Sequence, residues 1–231
     1  MGENQTILTA SGIRKRYGKK EVLKDITFSG RTGQCIGIFG ENGCGKSTLL
    51  SILAGAQRAD GGSLSYVGQD PFANPRLFSS LCAYVPQDNP LIGTLTVNDN
   101  LSLWYTDRAA REECLATGLG ARFGLTQYAR TEARKLSGGM KKRLSIVCAL
   151  AGSPDILLLD EPTAALDIAC KEDIRSYVRE YTAAGGLVLL TTHEAEDFAL
   201  CDQAYFMEGG VLSELPVPLQ TEVLLERMNH A

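Results

Sequence analysis

The segment Gly40–Thr48 reads GENGCGKST and lies between an apolar run, Cys35-Ile36-Gly37-Ile38-Phe39, and an apolar-periodic stretch beginning at Leu49. Strand, glycine-rich turn and helix in that order leave few folds open, because the turn must join a buried strand end to a helix start. Gly40, Gly45, Lys46 and Ser47 match the spacing G-x-x-x-x-G-K-[ST], and Asn42, Gly43, Cys44 and Thr48 complete the loop. Glycines let the backbone fold until successive N–H groups point inward, and the following helix adds the positive end of its dipole. A lysine at position 46 reaches the β- and γ-phosphates of a nucleotide cradled there, and the Ser47 hydroxyl can ligate Mg²⁺. The bland alternative is a turn that binds nothing, which the strand before it and the helix after it make the weaker reading.

Three more polar groups stand at the ends of apolar runs. Leu81–Val85 reads as a buried strand that stops before Gln87, and Ile156–Leu159 as one that stops at Asp160-Glu161. The run Leu187–Thr192 stops at His193, one of only two histidines. Runs with no polar alternation suit a parallel sheet covered on both faces, and such sheets place ligand contacts beyond their strand ends. Adjacent carboxylates at one strand end diverge, so Asp160 and Glu161 can divide metal holding from water activation. Surface-loop positions are the plain alternative for each of these residues.

Elsewhere the text changes character. Thr6 to Phe28 alternates apolar and polar residues around a turn at Gly18-Lys19-Lys20, which predicts antiparallel strands, with Tyr17 just before the turn. A turn-rich stretch, Ala59–Gly62, precedes a strand over Ser63–Val67. From about 88 to 153 the pattern is helical: Thr96 can cap a helix carrying Val97, Leu101, Trp104 and Tyr105, and Asp107 or Arg108 starts another. Within this insert Ser137-Gly138-Gly139 opens a helix whose Met140, Leu144, Val147, Cys148 and Ala151 share a face, a second possible anion site or simply a capped helix start. A helix over Ile168–Ala183 and a closing one near Thr221–Met228 complete the pattern. The fold class is α/β: a mostly parallel core sheet, an N-terminal antiparallel β subdomain and an inserted α-helical subdomain, in a single domain spanning 1–231.

Composition narrows the function. The 231 residues carry a net charge of −4, which argues against a partner bound by neutralising nucleic-acid phosphates. Seven cysteines are scattered without a C-x-x-C pair, the usage of a reducing compartment. No apolar run approaches the ~20 residues that cross a bilayer, so any membrane role is expected to come through a partner.

Taken in order, Tyr17, the loop Gly40–Thr48, Gln87, Leu136-Ser137-Gly138-Gly139-Met140, Ile156–Asp160 with Glu161, Ala165-Leu166-Asp167 and His193 resemble the motif series of an ATP-binding cassette (ABC) ATPase, from Tyr17 to Gly210. The resemblance implies a P-loop NTPase core that binds ATP and Mg²⁺. It implies that Tyr17 stacks on adenine, that Lys46 and the loop amides hold phosphates, and that Ser47, Gln87 and Asp160 serve the metal. Glu161 would polarise the attacking water and His193 would contact the γ-phosphate. It further implies that Ser137-Gly138-Gly139 closes over ATP on another subunit, in an ATP-dependent head-to-tail dimer with itself or a related cassette. Transmembrane permease subunits would be the partners, with the chain cytoplasmic and peripheral on the inner face of the cell membrane.

Two departures stand out: Met140 replaces the usual glutamine of LSGGQ, and Ala164 stands where serine is common. The text after His193 resembles single-cassette exporters, so export is preferred over import. The alternatives are a soluble ABC ATPase in a non-transport process, and a nucleotide-gated regulator that does not hydrolyse. Trp104 reads either as a core residue or as an exposed docking residue. Cys44, inside an electropositive loop, is expected to have a lowered thiol pKa and to be reactive.

Overall fold

A computed structural model describes residues 5–218. The chain opens with β1 (Thr6–Tyr17) and β2 (Lys20–Arg31), followed by β3 (Cys35–Phe39), α1 (Lys46–Leu53), β4 (Gly61–Tyr66), α2 (Arg76–Leu81) and β5 (Cys82–Val85). Four helices then intervene, α3 (Val97–Ser102), α4 (Arg108–Ala116), α5 (Leu119–Arg122) and α6 (Gly138–Ala149), before β6 (Ile156–Asp160), α7 (Ile168–Ala183), β7 (Leu187–Thr192), β8 (Gln203–Glu208) and β9 (Val211–Leu215). The expected closing helix near Thr221–Met228 lies outside the described residues.

A six-stranded sheet, ordered β5-β6-β7-β3-β8-β9, forms the centre, and its pairs are parallel except for the antiparallel β8/β9. A three-stranded antiparallel sheet, β2-β1-β4, covers one face together with α1. Helices α3, α4, α6 and α7 cover the other. This explains the unbroken apolar text of the central strands. In β6, Leu157 and Leu159 enter the helical core while Ile156 and Leu158 enter the core under the antiparallel sheet, so every position is buried. Each such leucine contributes roughly 1.5–3 kcal/mol by leaving water.

Register places the functional edge. Asp160 pairs opposite Thr191, and Phe39 opposite Thr192, so the C-terminal ends of β6, β7 and β3 lie side by side. The loop after β3, the carboxylates after β6 and His193 after β7 therefore emerge along one edge.

Several expectations need adjustment. The strand β4 begins at Gly61, earlier than the turn-rich text indicated, because Gly61 pairs with Arg14 in the antiparallel sheet. The strand β5 is an edge strand with Cys82 and Tyr84 only half-buried, and a short helix, α2, precedes it. Thr96 caps α3 as expected, its hydroxyl accepting from Asp99 N–H and the Asp99 carboxylate returning the contact, but the helix ends at Ser102. Trp104 falls beyond that end and is 52 % exposed, which decides against a core role.

Candidate functional site

The loop after β3 is shaped by glycine. Gly40 leaves the strand at φ +151, and a Cβ there would meet Met207 O at 2.4 Å, so a side chain at this position would collide with β8. Gly45, at φ +119, precedes α1 and offers no side-chain cap, and the first turn of the helix holds no acidic residue. Among the described residues, the Ser47 and Thr48 N–H groups have no protein acceptor. An uncapped helix start with two successive open donors suits an anion.

That start faces a cavity of about 320 Å³ walled by Asn42, Gly43, Gly45, Lys46, Ser47 and Thr48. Tyr17, Gln87 and Glu161 close it from other elements. Gly40, Asn42 and His193 border an adjoining opening. Tyr17 stands half-exposed at the rim, its hydroxyl donating to Gln57 Oε1 at 2.6 Å and Lys15 Nζ lying 5.6 Å from the ring centroid.

Charge converges at the cavity floor. Lys46 Nζ donates to Gly40 O at 2.7 Å and Glu41 O at 2.9 Å, and lies 3.7 Å from Glu161 Oε1. The other Glu161 oxygen accepts from Gln87 Nε2 at 3.1 Å and lies 3.5 Å from His193 Nδ1. Glu161 adopts a left-handed backbone, φ 47, unusual for a non-glycine residue, and its N–H is held by Thr191 O at 3.0 Å. Asp160 is buried below, accepting from Thr191 Oγ1 at 2.6 Å and Tyr84 OH at 3.4 Å. Burial, with the Asp160 charge adding to it, pushes the Tyr84 phenol well up. A nearly dehydrated carboxylate whose direct donors are neutral hydroxyls, beside a cavity wall carrying the Ser47 and Gln87 oxygens, has the donor chemistry a divalent cation takes.

The segment Ser137-Gly138-Gly139 does not join this cavity. Ser137 caps α6, its Oγ accepting from Met140 N–H at 3.2 Å, and Ser137 and Gly138 face solvent. Gly139 lies against α7, where a Cβ would stand 3.1 Å from Cys170 Sγ. The start of α6 is thus capped and lies apart from the uncapped start of α1 that carries Lys46.

A family model described as ABC transporter matches residues 23–164. The chain belongs to that family. It is 36 % identical over 208 residues to Nod factor export ATP-binding protein I of Ralstonia nicotianae, covering 88 % of this chain and 65 % of the relative. To linearmycin resistance ATP-binding protein LnrL of Bacillus subtilis it is 33 % identical, covering 88 % of this chain and 67 % of the relative. The chain therefore spans about two thirds of the length of these curated relatives. A solved structure described as the ATP binding subunit of an ABC transporter superimposes with TM-score 0.85 at 25 % identity, covering 96 % of this chain and 99 % of that one. The fold is that of an ABC ATPase cassette.

Three features of this ABC cassette escaped the sequence reading. Lys142, buried on α6, donates to Pro86 O at 3.0 Å and Gln87 O at 2.9 Å, tying the helical insert to the segment that carries Gln87. Burial lowers its pKa against the pull of Asp160, Asp88 and Glu161. Thr191 and Thr192 end β7 with buried hydroxyls that hold Asp160 and Asp197. Their polarity within an otherwise apolar strand was a usable signal; Lys142 and Asp197 carried none that set them apart from neighbouring charges.

Cys44 requires a correction. Its thiol pKa is raised, because burial outweighs the lowering by the Lys46 charge and amide. Lys46 acts in the expected direction, but the thiol is packed under the loop: a Cβ on Gly40 would come within 3.0 Å of Cys44 Sγ.

Proposed function

We propose that this ABC ATPase binds Mg-ATP in the cavity above Lys46 and hydrolyses it to power export through separate transmembrane subunits. The observation that carries the reading is the convergence of Lys46, Gln87 and His193 on Glu161 at the floor of a cavity whose wall is an open helix start. The free N–H groups of Ser47 and Thr48 and the Lys46 ammonium hold the β- and γ-phosphates. Tyr17 at the rim stacks on adenine, a contact of about 1–3 kcal/mol that tolerates a half-exposed ring.

Glu161 orients and polarises the attacking water, with Gln87 and His193 fixing its second oxygen. Lys46 moves from its own loop carbonyls onto phosphate oxygens and stabilises charge developing there. His193, exposed toward the adjoining opening, supplies a further donor to the γ-phosphate. Ser47, Gln87 and Asp160 are the residues that would hold Mg²⁺, and the ion would supply charge neutralisation to the phosphates.

Ser137, Gly138 and Gly139 do not line their own cavity, and Ser137 and Gly138 are exposed, which supports a role on the nucleotide of a second cassette. ATP then lies between two subunits, and loss of the γ-phosphate contacts weakens the pair. The helical segment from about 88 to 153 acts as a subdomain that meets the membrane subunits, and Lys142 transmits its position to Gln87. No described helix is long and apolar enough to cross a membrane. The reading puts the chain on the cytoplasmic face through its partner. Export follows the relatives named for Nod factor export and linearmycin resistance.

Affinity purification of the tagged chain from detergent-solubilised membranes, with ATP turnover measured on the product, tests this directly. The expected result is a co-purifying transmembrane polypeptide and Mg-dependent turnover that Glu161→Gln abolishes. Recovery without any membrane protein, or turnover that survives Glu161→Gln, would overturn it.

A further inference from the structure

We propose that Asp197 is a positioning residue for hydrolysis, one buried carboxylate that locks the segment following Glu161 to the segment carrying His193. This rests on the roles given above to those two residues.

The geometry is specific. Asp197 is 0 % exposed, and its Oδ2 accepts from Thr163 Oγ1 at 2.8 Å and from Thr192 Oγ1 at 2.7 Å. Its Oδ1 accepts from Arg175 Nε at 2.8 Å. Thr163 follows Glu161 with one residue between them, and Thr192 directly precedes His193. Two loops from different strands therefore converge on a single oxygen atom, and neither can shift by more than hydrogen-bond slack without the other.

Both loops need such a tether. Glu161 is held in a left-handed backbone conformation, which persists only when the surroundings over-determine it. His193 is half-exposed, with its Nδ1 3.5 Å from Glu161 Oε2, so its placement depends on its neighbours. Those neighbours are fixed: Glu194 N–H donates to Thr192 Oγ1 at 2.9 Å, curling the chain around the histidine. The Glu194 carboxylate is held by Lys171 Nζ at 2.6 Å and Arg175 Nη2 at 3.3 Å. Arg175 thus braces both Asp197 and Glu194 from α7. A buried carboxylate with a donor on each side has no tolerance for loss of one, because water does not reach it to substitute. Misplacing a reacting group by about 1 Å from a remote change can cost ~100-fold in rate.

The test uses the full chain with Thr163→Val and Thr192→Val, singly and together, each near-isosteric and each leaving the Asp197–Arg175 pair in place. Each single change is expected to lower kcat roughly ten-fold while KM for ATP stays within about two-fold. Thr192→Val also removes the acceptor of Glu194 N–H, so Thr163→Val isolates the tether, and the double variant should lose no more than Thr192→Val alone because the Asp197 oxygen is the point both share. Thr192→Ser, which keeps the hydroxyl, should retain kcat. Asp197→Asn should reproduce the loss if it folds; if it does not, the valine variants decide. Unchanged kcat in the valine variants, a rise in KM alone, or losses that multiply independently would overturn the proposal. Loss of turnover in Glu161→Gln alongside unaffected valine variants would sink only the role of Asp197. Turnover surviving Glu161→Gln would instead sink the reading of the site itself.

Discussion

Lys46 and Glu161 face each other at 3.7 Å, at 4 % and 6 % side-chain exposure, so the loop lysine and the strand-end carboxylate form a nearly buried ion pair. The same ammonium donates to Gly40 O and Glu41 O, which gives two of its three N–H groups an acceptor within the chain. A nucleotide phosphate at the loop would compete for these bonds. On the proposed function, the ion pair would couple phosphate arrival to release of Glu161, the residue proposed to address water.

Lys46→Ala should bind ATP roughly ten- to a hundred-fold more weakly, since a hydrogen bond to a charged group is worth about 1.5–3 kcal/mol. It should also leave the Glu161 charge buried without its cation and lower Tm. Titration of a fluorescent ATP analogue checks this; an unchanged Kd would contradict the placement of the phosphates.

Cys44 should react slowly with iodoacetamide near neutral pH, because a raised thiol pKa leaves less thiolate there, and the rate should keep climbing as pH rises past the ordinary thiol range. The measurement is the site-resolved alkylation rate by mass spectrometry against free cysteine at several pH values. A Cys44 that alkylates faster than free cysteine at pH 7 would contradict the burial argument.

Trp104 and its neighbour Leu103 are 52 % and 58 % exposed, with Ile92 at 47 %, an apolar surface on the helical side. Trp104→Ala should cost less than about 1 kcal/mol of stability, as exposed positions do, yet reduce co-purification of the membrane partner. A large fall in Tm with the partner fully retained would assign Trp104 to packing instead.

The legible parts of the molecule were those whose local chemistry is self-sufficient. Strand β7 and helix α7 lie where the text placed them because an unbroken apolar run needs two covered faces, and because Asp167 caps α7, accepting from Cys170 N–H at 2.8 Å. The loop Gly40–Thr48 was legible because glycine spacing dictates backbone shape. What stayed hidden depends on the surroundings. Loop charges are visible in the sequence, but the depth of Cys44 beneath them is not, and depth decided the direction of its pKa. Trp104 reads as apolar whether it packs inward or stands exposed. Asp197 cannot be told from Glu194 or Glu196 in the text, since only the folded chain brings Thr163, more than thirty residues earlier, onto its carboxylate.

On the proposed function, this cassette completes its site with ATP held between two subunits and uses Glu161 to cut it. The most direct measurement is size-exclusion chromatography with light scattering on Glu161→Gln, comparing Mg-ATP with Mg-ADP. The account predicts a stable dimer with ATP and a monomer with ADP, because the substitution keeps the phosphate contacts and removes only the group that activates water. A monomer under both conditions, at saturating nucleotide, would contradict it.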